Sequence, residues 1–175
     1  MNVKDLTIMA SFTTILIVQN ILLFNIPYFQ LTFFLIFLYA KILGLKRTSI
    51  IVLMYVAVSN LILGFVLPLQ LITMYIAFMI GPILLNTIFI KINNPPLIAT
   101  LALFSSIVYI LLLDFSWWLV YPSNFEGLLI MLGQGLIFAL PVFVSSFVSV
   151  LMLFNPLQRV VSSLYNKTIN NNYSN

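Results

Sequence analysis

A few amide, aromatic and carboxylate side chains interrupt an otherwise apolar chain, and they are the groups able to do chemistry. Asn20, Asn60, Tyr75 and Gln134 stand inside long apolar runs. Tyr28, Gln30, Asp114, Trp117, Trp118 and Tyr121 stand at breaks between runs, with Asn25, Gln70 and Glu126 close by. Amides offer a donor and an acceptor together, and aromatic rings stack on flat rings or cover cations. A carboxylate at Asp114 or Glu126 would neutralise a positive group. Such a set suits a pocket that holds a small molecule. It does not suit a catalytic centre. With no His, no Cys and three carboxylates, the chain lacks the commonest general base, the commonest metal ligand and any thiol. A phosphate-cradling Gly-x-x-x-x-Gly-Lys sequence is missing, so ATP hydrolysis is not expected of this chain. No enzyme activity, metal or cofactor is expected.

Each of these residues also has a plainer reading. Trp117, Trp118 and Tyr121 would serve equally as an interfacial aromatic belt. Asp114 and Glu126 would serve as solvated acids at helix ends. Asn60 and Gln134 would serve as interhelical hydrogen bonds that lock packing. Clustering of three aromatics with two acids near one break favours the pocket.

The elements that must position these groups follow from composition. Of 175 residues, 63% are hydrophobic and 6% charged. A soluble domain carries roughly 25% charged residues, so lipid must be the main solvent. Backbone groups in lipid are satisfied within helices or closed barrels. The apolar runs are close to the ~20 residues of a spanning helix, and not the roughly ten-residue alternating strands of a barrel. Six transmembrane helices are predicted, over 6–24, 29–43, 49–66, 68–90, 97–113 and 126–154. The breaks are Asn25-Ile26-Pro27, Gly44, Pro68, the run 91–96 with two prolines, a polar aromatic loop over 114–125, and Pro156. The sixth helix would be about 43 Å long at 1.5 Å per residue, with a kink expected at Pro141. Residues 1–165 would form one six-helix substrate-binding domain, and 166–175 a disordered polar tail.

Charge orients the bundle. With six spans, Lys4, Lys41, Lys46, Arg47, Lys91, Arg159 and Lys167 all fall on the side of the termini or at its boundary. The three opposite loops carry no Lys or Arg. The positive-inside rule therefore predicts both termini in the cytoplasm. Asn20, Asn60, Tyr75 and Gln134 then lie toward the external half, so a site would open outward. At the cytoplasmic start of the first helix, Ala10, Ser11 and Thr14 share a face at spacings of three and four. Small residues so spaced let another helix approach closely, either within the bundle or from a partner.

The size, span layout and charge placement over residues 5–165 resemble the S components of energy-coupling factor (ECF) transporters. The stretches IPYFQLTFFLIFLYAKILGLKR (26–47), VSNLILGF (58–65) and GPILLNTIF (81–89) carry the resemblance. It implies the substrate-binding subunit of an importer in a bacterial cell membrane, taking a vitamin or related micronutrient from outside. It also implies partners: a transmembrane coupling subunit and two cytoplasmic ATPases, and no nucleic acid. The family docks through an Ala-x-x-x-Ala motif in the first helix, where this chain has Ala10 and Thr14 with Ser11 beside them. Thiamine binders of the family use His, which this chain lacks. The alternative is a structural membrane protein of the MreD-like cell-shape kind, with no small ligand. The outer acids lean toward a neutral or cationic substrate.

Overall fold

The computed structural model describes residues 3–23, 30–64, 67–91 and 93–170. The break at Asn25-Ile26-Pro27, Tyr28 and residues 171–175 lie outside the described residues. The described chain is helical throughout its length: α1 (Val3–Leu23), α2 (Thr32–Leu43), α3 (Leu45–Leu63), α4 (Pro68–Thr87), α5 (Pro95–Val120), α6 (Phe125–Phe138) and α7 (Leu140–Asn170). Five of these, α1, α3, α4, α5 and α7, are long and apolar enough to cross a membrane. The bundle's flanks carry exposed Leu22, Leu53, Leu61, Ile72, Phe104 and Val144, which water accommodates poorly when they are contiguous.

α2 differs from the span expected over 29–43. It has twelve residues, about 18 Å of helix, against a bilayer core of about 30 Å. Nine of the twelve are buried, and the helix touches α1, α3, α4, α5 and α7. A short helix that is apolar on every side is a core element. α2 is therefore the axis around which the longer helices stand. Gly44 separates it from α3 by a single residue at φ 77°, a left-handed conformation open to glycine at little cost. Close approach elsewhere depends on Gly81. A Cβ there would lie 2.5 Å from the Phe37 ring of α2 and 2.6 Å from Ser105 Oγ of α5.

Three other expectations are corrected. The loop predicted over 114–125 is helical as far as Val120. No Gly or Pro interrupts the chain between Asp114 and Tyr121, so nothing stops the helix before Pro122. The helix predicted over 126–154 is two helices that meet at Ala139 (φ −86°, ψ 1°). The break sits beside Pro141, whose ring obstructs the carbonyl four residues earlier. α7 then continues through Pro156, where the sequence predicts an end. Leu157, Val161 and Tyr165 recur at intervals of four and pack on the core, and this stripe outweighs the one hydrogen bond that Pro156 removes.

The bundle has two unlike ends. At one, Arg47 Nη2 donates to Asp5 Oδ1 (3.0 Å) and Arg47 Nη1 to the Tyr165 hydroxyl (2.6 Å). Lys41 Nζ donates to the Ile90 carbonyl (3.1 Å). These bonds join the start of α1, both ends of the α2–α3 turn, the end of α4 and the end of α7. Twenty residues earlier in α7, about 30 Å along the helix, Ser145 Oγ accepts from the Gln30 amide (3.5 Å) at the other end.

Candidate substrate site

At the end away from Arg47, the helices frame a half-open cavity of about 320 Å³, within the range of small-molecule sites. Three helices contribute stripes at intervals of four residues, the spacing that keeps side chains on one helical face. α3 gives Tyr55, Ser59 and Leu63, with Asn60 beside them. α4 gives Gln70 and Met74, and α5 gives Tyr109, Leu113 and Trp117. Asn20 of α1 and Gln30, just before α2, complete the wall.

The floor is an aromatic cluster. Tyr109 lies 4.5 Å from Phe78 and 5.5 Å, edge-on, from Phe33, ring centroid to centroid. Tyr55 meets Phe78 edge-on at 5.8 Å. Such arrangements suit the ring quadrupoles and hold the rings in place. Behind the floor, Gln19 Nε2 donates to Thr32 Oγ1 (2.8 Å), and Thr32 Oγ1 shares a 3.5 Å contact with the Tyr55 hydroxyl. Gln19 Oε1 accepts from the Leu31 amide (3.3 Å). Gln19 thus ties the entry to α2 onto α1 and braces Tyr55.

The wall groups differ in how far they are satisfied. Asn60 Nδ2 donates to the Val56 carbonyl (2.8 Å) and contacts Met74 Sδ at 3.4 Å, which leaves its oxygen for another donor. Ser59 Oγ donates to the Tyr55 carbonyl (2.6 Å). Gln70 is 6% exposed, and its Nε2 has no hydrogen-bond partner. Buried donors are nearly always paired, so an unpaired one calls for an explanation.

Of the residues the sequence singles out, Asn20, Gln30, Asn60, Gln70 and Trp117 line this cavity. The others lie elsewhere, except Asn25 and Tyr28, which are outside the described residues. The Tyr75 hydroxyl shares a 2.7 Å hydrogen bond with Ser49 Oγ near the start of α3, so the ring points toward the basic end. Asp114 turns to α6, where Gly135 leaves no room for a side chain: a Cβ there would run into the carboxylate. Trp118 Nε1 donates to the Ser123 carbonyl (3.2 Å), and its ring stacks on Phe115. Tyr121 is exposed but stacks on Trp117 with centroids 5.7 Å apart. Gln134 is exposed on α6. Glu126 is exposed in the first turn of α6.

Ala10, Ser11 and Thr14 are exposed on α1. Ala10 and Thr14 line a second, apolar groove of about 280 Å³ with Leu6, Met9, Thr13, Ile50 and Met54. Ser11 Oγ donates to the Thr7 carbonyl (3.0 Å) and Thr14 Oγ1 to the Ala10 carbonyl (2.9 Å). These hydroxyls are satisfied within their own helix, so the face behaves as an apolar one.

Tyr55, Ser59 and Tyr109 are the polar wall residues that depth along the chain does not pick out. The signal for them is the interval of four. Tyr55–Ser59 and Tyr109–Leu113–Trp117 each run along one face toward an amide or indole. Compared with protein-family models, with curated proteins and with solved structures, the chain matches none.

Proposed function

We propose that this chain is a multi-pass membrane protein that captures a small organic molecule from the external side, as the substrate-specificity subunit of an ECF-type importer. The observation that carries the reading is the cavity at the end opposite Arg47, with amide, hydroxyl and aromatic groups on its wall and an unpaired buried donor among them. The basic residues at the other end fit a cytoplasmic face under the positive-inside rule. A sixth crossing would fall to α2, inside a ring of five helices of spanning length.

The substrate is a vitamin or related micronutrient. A transmembrane coupling subunit and two cytoplasmic ATPases complete the importer, because this chain has no phosphate-cradling loop of its own. The groove at Ala10 and Thr14 is the docking face for the coupling subunit. Its satisfied hydroxyls and small side chains permit close helix approach in lipid. The chain captures solute outside and turns within the membrane to release it inside.

The test is native purification in mild detergent, with protein and small-molecule mass spectrometry on the same preparation. Two ATPase subunits and a retained solute are expected. Enrichment of peptidoglycan-synthesis proteins with no solute would replace this reading by the cell-shape scaffold.

A further inference from the structure

We infer that the cavity accepts an uncharged solute that presents a carbonyl-type hydrogen-bond acceptor to Gln70 and a flat ring to the aromatic wall. The inference rests on the cavity being the substrate site and narrows what that site takes.

The first argument is the absence of charge. No Asp, Glu, Lys or Arg occurs between Asp5 and Lys41 or between Arg47 and Lys91. The stretches of α1, α3 and α4 that line the cavity therefore contribute none. Lys41 and Arg47 hold the opposite end. On α5 and α6 the candidates are Asp114, which turns to Gly135, and exposed Glu126, and neither lines the cavity. A charged solute would leave water without meeting a counter-charge, a cost that only pairing offsets. The lean toward a neutral or cationic substrate thus narrows to a neutral one, because neither acid lines the cavity.

The second argument is the pattern of unmet hydrogen bonds. Gln70 Nε2 is a buried donor with no partner, and the amide of Asn60 has its nitrogen engaged and its oxygen left over. An acceptor on the solute satisfies the first, and a neighbouring N–H or O–H satisfies the second. Carboxamides, lactams and ring ureas carry both groups without charge. The third argument is the wall itself. Tyr55, Tyr109 and Trp117 offer ring faces and edges, and Tyr109 is held by Phe33 and Phe78.

The experiment uses the full chain in lipid nanodiscs, with the solute extracted from wild type and from Gln70→Leu and identified by mass spectrometry. The wild-type preparation is expected to yield a solute neutral at pH 7 with a carbonyl acceptor. Gln70→Leu is expected to retain roughly tenfold less, the effect of about one lost hydrogen bond. It is also expected to melt at the same temperature or higher, because an unpaired buried donor is gone. Gln70→Glu, which replaces the donor by an acceptor, should lose retention similarly and provides the check if Gln70→Leu does not fold. A retained solute that is charged at pH 7 overturns the inference and leaves the transport reading intact. Wild-type retention by both variants overturns the role of Gln70. A wild-type chain that retains nothing overturns both readings.

Discussion

The two ends of the bundle handle polar groups in opposite ways. At the basic end, Arg47 divides its guanidinium between Asp5 and Tyr165, and lies 5.9 Å from the centroid of the Tyr165 ring. Three helices are joined there by groups that satisfy one another. At the cavity end, Gln70 keeps a donor without an acceptor, and Asn60 has bonded only half of its amide. Unmet capacity beside a half-open cavity is what the proposed site offers a ligand. The satisfied end acts as a fastening, and the groove beside it at Ala10 and Thr14 is apolar.

The largest expected effect removes the contrast altogether. α4 crosses α2 and α5 at Gly81, midway between the ends. A side chain there meets the Phe37 ring at 2.5 Å and Ser105 Oγ at 2.6 Å. Phe37 and Ser105 are themselves almost wholly buried, so neither has room to retreat. Gly81→Val should cost about 3 kcal/mol, the upper part of the range for overpacked cores. The check is thermal denaturation in detergent, with solute retention measured alongside. Both should fall. A variant with wild-type melting would mean that α4 does not approach α2 and α5 this closely.

A smaller effect sharpens the contrast. Arg47→Met removes the ion pair and the tyrosine hydrogen bond while keeping most of the apolar stem. Arg47 and Asp5 have side chains 37% and 29% exposed, so solvent screens the pair and the loss should be no more than about 1 kcal/mol. Solute retention should not change, because the altered group lies at the far end of the bundle. If retention fell as much as in Gln70→Leu, the ends would be coupled, and the division between fastening and site would fail.

How much of this the sequence discloses depends on what each residue's signal measures. Asn20 and Asn60 are legible because an amide in an apolar run is conspicuous, and depth alone puts them on the cavity side. Tyr55 and Tyr109 are not, because a tyrosine in an apolar run reads as core until its neighbours four residues on are considered. Tyr75 shows the limit of depth. Its Cα position suits the external half, yet a long side chain directed the other way carries its hydroxyl to Ser49. The helical character is legible from composition alone. The role of α2 is not: twelve apolar residues flanked by others look like a span, and only its contacts on all sides identify a central core helix. Asp114 is illegible for a different reason. A carboxylate next to two tryptophans suggests a site, and it takes the glycine at 135 on another helix to draw it away.

Trp117 and Trp118 carry the smallest expected effect, and they test the wall directly. A loop would leave both free to face a ligand. A helix separates successive side chains by about 100° at 3.6 residues per turn, and α5 continues to Val120. Only one of the two can then share the face of Tyr109 and Leu113. Trp117 lies on that stripe and lines the cavity, whereas Trp118 donates to Ser123 and stacks on Phe115. These are the only tryptophans in the chain, so Trp118→Phe leaves a single reporter at the wall and Trp117→Phe a single reporter away from it. Both substitutions keep an aromatic ring, and melting should shift little in either. On adding back the solute recovered from the native preparation, emission should change in Trp118→Phe and stay constant in Trp117→Phe. The reverse pattern would rotate α5 by roughly a quarter turn and take Tyr109 off the cavity floor with it.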